Sequence, residues 1–396
     1  MIVLKNATVF NGAGAQPLSN ATVVISGERI EAVGEGVMAP DGADIVIDVK
    51  GKTVLPGLID AHVHFGGTEG FDYPGIGSRL ETYNYLKSAA QALKWGVTTI
   101  RSAGDYTPDI LRFRDEVKSG LHISPRIVAA GKMIQARGGH PLNTVFGGSE
   151  AIAGGVCVLV DESTDLEKEV RLLCDAGADW IKTFISEVNK LDYPTRVPRI
   201  PPEKLKQIVD LAHRFGKPCM IHVDNVSQMR EAAQAGADSI EHTLSVGATD
   251  TEIDDGLIEM LLKKDICVVP TVFSVKRHEN PDAGLPMVYE TLLGQINKLI
   301  RAGVRIGVGT DSAIPFLPIG ESLHDEFSEL VLCGMTPAEA ISNATRGNAK
   351  LLRKDNEIGA VLPGYYADIL IVDGDPLSDV KHTKRVKYVI ANGRLI

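Results

Sequence analysis

The stretch "VLPGLIDAHVHFGG" occupies residues 54–67, where an apolar run ends in two histidines one residue apart. In a β-strand, residues i and i+2 point to the same face, so His62 and His64 would lie side by side. Imidazole is the commonest metal-ligating side chain, and two on one face provide half of a tetrahedral coordination shell. The pair alone is equally compatible with two hydrogen-bonded histidines near a surface, so its meaning depends on the rest of the chain.

Strand-like and helix-like segments alternate about eight times after this point. The strand-like segments are "LIDAHVH", "VTTIRSAG", "RIVAAG", "WIKTFIS", "PCMIHVD", "DSIEHTL", "CVVPTV" and "RIGVGTDS". Between them, segments such as "KLKQIVDLAHRFG" repeat apolar residues at spacings of three and four, and several end at glycine. This repeat is typical of a (β/α)₈ TIM barrel, so an α/β fold is predicted. An open doubly wound sheet is the alternative, weakened because no glycine-rich dinucleotide loop follows the first strand.

Both ends of the chain contain short strand-like segments separated by turns. "IVLKNATVF" and "ATVVISG" lie near the start, and "ADILIVDGDP" and "VKYVIANGRLI" lie near the end. Two terminal β segments that flank a different middle predict one small β-sandwich domain formed by both chain termini. The predicted division is residues 1–56 for the N-terminal part of this domain, 57–355 for the barrel, and 356–396 for the C-terminal part.

Composition narrows the classes of partner. The chain has 396 residues, is 44% hydrophobic and carries a formal net charge of −10 without a compensating basic stretch, which argues against nucleic acid. We find no apolar run of about 18 residues or more, which argues against a membrane span. The start resembles no signal peptide, and five scattered cysteines favour free thiols in a reducing cytoplasm. A small-molecule substrate is therefore the expected partner, and a homo-oligomer stays open.

Chemically active side chains recur at the ends of the predicted barrel strands. In a TIM barrel these ends meet on one face, where active sites lie. The residues in question are His62 and His64 on strand one, Lys182 on strand four, His222 on strand five, His242 on strand six and Asp311 on strand eight. Each alone has an ordinary explanation, such as a lysine that reaches solvent or an aspartate that caps a helix. Together, at one mouth, they predict a metal site.

Several stretches resemble the amidohydrolase superfamily of metal-dependent hydrolases. "LPGLIDAHVH", the lone Lys182, the two later histidines and "GTDS" are similar to its metal-site motifs. "GYYADILIVDGDPLSDV" and "VIANGRLI" are similar to its split β-sandwich domain. The resemblance covers nearly the whole chain and points to the prolidase-like and imidazolonepropionase-related branch, which includes dipeptidases and other amide hydrolases.

This resemblance implies that Lys182 is carboxylated by CO₂ and bridges two divalent metal ions. Only a neutral amine reacts with CO₂, and burial shifts a lysine toward neutrality. Zinc is the expected metal, with manganese, cobalt or iron as alternatives, because nitrogen and oxygen ligands accept several metals. The implied ligands are His62, His64 and Asp311 for one ion, His222 and His242 for the other, and the carboxylated Lys182 for both.

The expected reaction is cleavage of an amide bond in a small substrate, a dipeptide or an N-acyl amino acid, by metal-activated hydroxide. Asp311 is predicted to take the proton of the water and deliver it to the leaving amine. His140 lies in "ARGGHPL", and the resemblance implies that it hydrogen-bonds the substrate carbonyl. Arg137 in the same loop is predicted to receive a substrate carboxylate.

Other functions stay open from the sequence. A mononuclear deaminase or cyclic amidohydrolase would not need Lys182 and would use a glutamate near the strand-five histidine, where this chain has Asp224. Lactone or phosphotriester hydrolysis could use the same hydroxide. A metal-free scaffold is disfavoured because all six ligands are present. Residues 224–225 and "NPDAGLP" after strand seven depart from the family pattern, so the substrate is not determined. The remaining histidines are predicted to be surface or packing residues: His122, His213, His278, His324 and His382.

Overall fold

The computed structural model describes residues 1–12, 16–66, 85–146, 148–188, 193–314 and 316–396. Gly67 of the opening motif and Gly147 of the insertion after strand three lie outside the described residues. Within the described ranges the chain is a mixed α/β protein. Among those residues, no helix is both long enough and apolar enough to cross a membrane.

The strands are numbered along the chain. They are β1 Ile2–Val9, β2 Leu18–Ser26, β3 Arg29–Glu35, β4 Ile45–Asp48, β5 Lys52–Pro56, β6 Leu58–Val63, β7 Val97–Ser102, β8 Arg126–Ala129, β9 Met133–Ala136, β10 Cys157–Val160, β11 Ile181–Phe184, β12 Cys219–Val223, β13 Ser239–His242, β14 Cys267–Val269, β15 Ile369–Asp373, β16 Val386–Ala391 and β17 Arg394–Leu395.

The helices are numbered in the same way. They are α1 Tyr85–Lys94, α2 Asp109–Lys118, α3 Glu150–Val156, α4 Leu166–Asp175, α5 Pro202–Arg214, α6 Val226–Ala235, α7 Asp255–Lys263, α8 Val272–His278, α9 Tyr289–Ala302, α10 Glu321–Leu332, α11 Pro337–Ser342 and α12 Asn348–Leu351. A π-helical turn at Asn343–Gly347 joins α11 to α12.

Strands from both chain ends share one eight-stranded sheet. Its order is β17-β16-β15-β5-β1-β2-β3, and β4 pairs with β1. The early and late parts meet where β5 runs antiparallel to β15, with Leu55 opposite Leu370. The sheet buries its own apolar cluster, which includes Leu4, Val54 and Ile369. The described pairings place all of these strands in one sheet, so division into the two layers of a sandwich stays a prediction.

The middle of the chain forms two parallel sheets with helices between the strands. One has the order β6-β7-β8 and the other β10-β9-β11-β12-β13-β14. Residues 304–312 join them through two isolated parallel bridges, Val268 with Ile306 and Val63 with Ser312. The predicted eighth strand therefore forms single bridges where a continuous ladder was expected. No ladder between β8 and β9 is present among the described residues, so the closed eight-stranded barrel stays a prediction.

Glycine explains how the eighth segment lies so close to β6. A Cβ atom on Gly309 would come within 2.8 Å of the His62 Cβ atom, closer than side chains tolerate. The backbone N–H of Asp311 donates to the carbonyl oxygen of His62 at 2.8 Å. The glycine-rich sequence "GVGTDS" thus allows the contact that brings the end of this segment beside the first histidines.

The helices cover the parallel sheets with one apolar face each. In α5, Leu205, Ile208, Val209 and Ala212 are buried, which is the spacing of one helical face. Burial of each such Leu, Ile or Val side chain contributes about 1.5–3 kcal/mol. Some helices have a side-chain N-cap, as where Asn225 accepts a hydrogen bond from the backbone of Gln228 at the start of α6.

His324 is a packing residue, as the sequence predicted. Its side chain on α10 is buried, Nε2 donates to the carbonyl oxygen of Trp95 at 2.9 Å, and Nδ1 lies 2.9 Å from Thr383 Oγ1. Burial lowers the pKa of this imidazole to about 4. His324 therefore ties α10 to the turns on both sides of it while it stays neutral.

Acidification should destabilise the fold through His324. Its folded pKa of about 4 lies below the ordinary 6.5, so between these values the unfolded chain binds a proton that the folded chain does not. The stability held by neutral His324 is present above pH 6.5 and is lost as the pH falls toward 4. Urea unfolding should show wild-type protein losing roughly 2 kcal/mol more than His324→Gln between about pH 7 and pH 5. Equal pH slopes for the two proteins would contradict this role.

Candidate active site

One cavity of about 620 Å³ opens where the parallel strands end. The residues around it come from the ends of β6 and β11 to β13, from α8, from the loop after β9 and from the segment after residue 309. Seven residues singled out from the sequence line it: His62, His64, His140, Lys182, His222, His242 and Asp311. The carboxyl ends of the strands thus bring together residues up to about 250 positions apart, as expected for parallel sheets of this type.

His62, His64 and Asp311 form a possible metal site. The Oδ1 atom of Asp311 lies 3.3 Å from His62 Nε2 and 3.2 Å from His64 Nε2. The ligand atoms of the three residues all lie within 4.8 Å of one another. Burial alone would raise the pKa of Asp311, but the two imidazoles beside it hold this pKa well below its usual range. An ionised carboxylate and two imidazole nitrogens are a donor set that suits zinc and several other divalent metals.

The other histidines lie beside this group. The ring centres of His222 and His242 are 4.4 Å apart, and that of His242 is 4.9 Å from His62. The Nδ1 atom of His242 lies 2.7 Å from Thr271 Oγ1, which leaves Nε2 on the opposite side of the ring. Burial, together with the neighbouring His222, lowers the pKa of His242 well below its ordinary value. The imidazole is therefore neutral, which is the form that binds a metal.

Lys182 is the most unusual side chain in the cavity. It is completely buried, and within the described part of the chain its Nζ atom has no hydrogen-bond partner. Nζ lies 4.9 Å from the centre of the Phe184 ring. Burial lowers the pKa of Lys182 to about 8, although Glu241 and Asp311 oppose the shift. A buried amine with a lowered pKa and no partner is costly, so its presence requires a functional explanation.

A buried ion pair orients His62 from behind. Glu241 and Arg101 are both fully buried and lie 2.8 Å apart, and Glu241 Oε2 lies 2.6 Å from His62 Nδ1. Burial would raise the pKa of Glu241, but Arg101 and His62 hold it below its usual range. The carboxylate accepts the Nδ1 proton and so directs Nε2 of His62 toward Asp311.

Asp60 connects β6 to the segment that carries Asp311. Its carboxyl group accepts hydrogen bonds from the His62 backbone at 3.2 Å, the Thr310 backbone at 3.1 Å and the Thr310 hydroxyl at 2.7 Å. Burial raises the pKa of Asp60 to about 7. Three polar contacts in a dry setting fix the relative position of the two chain segments.

The backbone at three strand ends is strained. His242, Thr271 and Asp311 have φ angles of 72°, 48° and 60°, in the left-handed region that glycine prefers. Such strain costs of order 1–3 kcal/mol per residue and is concentrated at functional sites. These residues all face the cavity or contact a residue that does.

Several residues that line the cavity were not predicted from the sequence. Asp105 lines the cavity after β7, and its carboxylate accepts from the backbone of Phe65 and Gly66. The strand-end rule that found Asp311 also applies to "RSAGD", so this residue could have been found. Arg277 and His278 also line the cavity, whereas His278 was predicted to be a surface or packing residue. No periodic signal marks them, because they lie on a short helix after β14.

Two predicted residues do not line the cavity. Arg137 is 47% exposed and pairs with Glu150 at 2.6 Å and Asp161 at 3.2 Å. Its guanidinium is already occupied by these carboxylates, so the structure does not support the predicted contact with a substrate carboxylate. Asp224 is fully buried, accepts a short hydrogen bond from Ser186 and lies 3.3 Å from His222 Nε2. It therefore supports His222 from behind and does not face the space that a substrate would occupy.

Apolar side chains form much of the remaining cavity wall. The cavity wall nearest the loop after β9 includes four of them: Met133, Val145, Phe146 and Val156. His140 belongs to the same loop, with Nδ1 2.5 Å from Thr144 Oγ1 and its ring centre 4.9 Å from that of His222. The cavity thus combines a polar floor of metal-binding groups with an apolar side, an arrangement suited to a small, partly apolar ligand.

Comparisons with known proteins agree with this architecture. The chain is 28% identical to ochratoxinase from Aspergillus niger, over 96% of this chain and 83% of that protein. It is 26% identical to imidazolonepropionase from Streptomyces coelicolor, over 89% of this chain and 85% of that protein. A solved Xaa-Pro dipeptidase with bound methionine in its active site superposes with a TM-score of 0.84 and 28% identity, covering 100% of this chain and 99% of that one.

The model of the amidohydrolase family matches residues 53–396, which is most of the chain. The match includes the strand ends that carry the possible metal site. The chain therefore belongs to the amidohydrolase family, in the branch related to prolidases and imidazolonepropionases, and is a hydrolase of carbon–nitrogen bonds.

Proposed function

We propose that this protein is a binuclear metal-dependent hydrolase that cleaves the amide bond of a dipeptide or an N-acyl amino acid. The observation that supports this most strongly is Lys182, a fully buried amine without a hydrogen-bond partner among the described residues. Its lowered pKa of about 8 favours the neutral amine, which is the form that attacks CO₂. Carboxylation would turn an unfavourable buried group into an anionic oxygen ligand.

The proposed ligand sets follow the positions of the side chains. His62, His64 and Asp311 would hold one ion, His222 and His242 the other, and carboxylated Lys182 both. Zinc is proposed, with manganese, cobalt or iron as alternatives. When bound, divalent metal ions lower the pKa of a water molecule to about 7 and polarise a substrate carbonyl.

The protein's own groups would handle protons and orientation. Asp311 stays ionised because its pKa is held well below the usual range, so one of its oxygens can accept the proton of the attacking water and pass it to the leaving amine. His140 faces the cavity and would donate a hydrogen bond to the substrate carbonyl as negative charge develops there. The apolar wall beside His140 would exclude water and receive the acyl part of the substrate.

A closed (β/α)₈ barrel, with a β-sandwich built from residues 1–56 and 356–396, is proposed as the scaffold. Parallel pairing throughout the middle, the bridges at residues 306 and 312 and the TM-score of 0.84 with the dipeptidase support it. A cytoplasmic location is proposed because the five cysteines are free thiols. The mononuclear deaminase alternative is disfavoured, because Asp224 would have to carry protons and does not line the cavity.

A substrate screen tests the reaction class. Protein stripped with a strong chelator and reconstituted with zinc, manganese or cobalt should release amino acids from members of a panel of dipeptides and N-acyl amino acids. The chelated protein should be inactive, because the proposed chemistry requires the metal. Unchanged hydrolysis after chelation, or release of ammonia from cyclic amidines in place of amino acids, would refute the proposal.

Lys182→Ala should abolish activity and lower the metal content from near two ions per chain to near one or below. The carbamate oxygens that would hold both ions are lost with the side chain, so formate, acetate or propionate should restore part of the activity by replacing them. Lys168→Ala, which removes an exposed lysine on α4, is the matched control and should behave like wild type. Wild-type activity and metal content in Lys182→Ala would favour a mononuclear enzyme.

Glu241→Gln should weaken zinc binding by roughly 10- to 100-fold, because the neutral amide no longer fixes the Nδ1 proton of His62. Competition with a chromogenic chelator measures the affinity, and thermal unfolding reports the separate cost of leaving Arg101 unpaired. Glu329→Gln is the matched control. It removes another buried carboxylate, whose Oε1 lies 2.7 Å from Lys276 Nζ and which does not contact the proposed ligands, so zinc affinity should stay unchanged. Equal zinc affinities in all three proteins would exclude the orienting role.

A further inference from the structure

The rim of the cavity after β14 carries a cation whose role the proposed mechanism leaves open. Arg277 lies on α8, lines the cavity and is exposed. Its guanidinium carbon lies 5.9 Å from the centre of the Phe316 ring. Phe316 also lines the cavity, is 62% exposed and has a φ angle of 67° in the left-handed region. An exposed aromatic side chain on strained backbone is costly for a surface without a ligand, and it places an attractive ring face beside the guanidinium.

The carboxylates that line the cavity already have partners. Asp311 lies against His62 and His64, and Asp105 accepts two backbone N–H groups. Glu279 accepts from the backbone of Val288 at 2.5 Å and of Tyr289 at 2.6 Å, so its charge is used at the start of α9. Lys276, beside Arg277 in the chain, pairs with Glu329. Arg277 has no carboxylate within ion-pair distance in the described part of the chain.

Arg277 also lies about one helical turn from Ser274, whose side chain contacts Asp311. Ser274 on the same helix has its Oγ atom 3.5 Å from Asp311 Oδ2. Residues three apart on a helix lie on the same side, separated by about 4.5 Å along the axis. The start of α8 is fixed because the buried Glu326 accepts from the backbone of Val272 at 3.0 Å and of Phe273 at 2.7 Å. A group bound by Arg277 would therefore have a defined position relative to Asp311.

From these contacts we infer that Arg277 receives the free carboxylate of the substrate's leaving amino acid and selects substrates that carry one. A guanidinium binds a carboxylate through two parallel N–H···O bonds, which fixes orientation as well as charge. The acyl part would then extend toward the apolar wall formed by Val145 and Phe146. This inference rests on the proposed amide hydrolysis and assigns to Arg277 the carboxylate contact that the sequence had suggested for Arg137.

The test compares an N-acyl amino acid with the same compound capped as its C-terminal amide, on metal-reconstituted protein. Arg277→Met should lower kcat/KM for the free acid about 10- to 100-fold, mainly through KM, and should leave the capped substrate nearly unchanged. Arg277→Lys should recover part of the loss, because it keeps the charge without the two-pronged geometry. Arg301→Met, an exposed arginine at the end of α9, is the control and should match wild type.

Calorimetric binding of the same two compounds separates this inference from the proposed function. If reconstituted wild-type protein hydrolyses neither compound, the proposed function fails for this substrate class. The inference then still requires that wild-type protein binds the free acid about 10- to 100-fold more tightly than the Arg277→Met variant does. The capped compound should bind the two proteins with equal affinity. Equal effects of Arg277→Met on both compounds, in binding or in kcat/KM, would overturn the inference while leaving amide hydrolysis intact.

Discussion

The hydrogen bonds of one buried carboxyl group, that of Asp60, underlie the whole site. They join two parts of the chain that are 250 residues apart, because Asp60 accepts from the Thr310 backbone and hydroxyl as well as from His62. Together with the hydrogen bond from the Asp311 backbone to the carbonyl oxygen of His62, they hold the first histidines opposite Asp311. The two segments can approach this closely because residue 309 is glycine, since any Cβ atom there would collide with His62.

A second buried layer gives the metal-binding groups their direction. Arg101 and Glu241 form a fully buried ion pair, and such pairs contribute little net stability because their desolvation is costly. The pair instead fixes the orientation of a ring, because Glu241 accepts the Nδ1 proton of His62. Thr271 fixes the ring of His242 in the same way. Strained backbone at His242, Thr271 and Asp311 adds to this cost. The fold thus accepts instability around the cavity to hold the imidazoles and an ionised carboxylate in fixed positions.

The sequence could bring these side chains together in one predicted cavity because its signals are local. A histidine or aspartate at the end of an apolar strand is visible in a few residues, and parallel strands bring such ends together. Arg137 was assigned wrongly for a different reason. Its partners Glu150 and Asp161 lie 13 and 24 residues further on, and only the folded loop shows that they occupy the guanidinium. Arg277 was missed because its contact with the cavity depends on where a short helix after β14 folds back, whereas Asp105 follows a strand end and could have been found. The eighth segment was predicted as a strand, but it pairs with its neighbours through single bridges.

The central claim is that six side chains from distant parts of the chain hold two metal ions around a carboxylated lysine. Anomalous diffraction from crystals of the zinc-reconstituted protein, collected at the zinc absorption edge, tests it most directly. The account predicts two peaks, one beside His62, His64 and Asp311 and the other beside His222 and His242, with density for a carboxylate on Lys182 between them. A single peak with an unmodified Lys182, or no peak in this cavity, would contradict it.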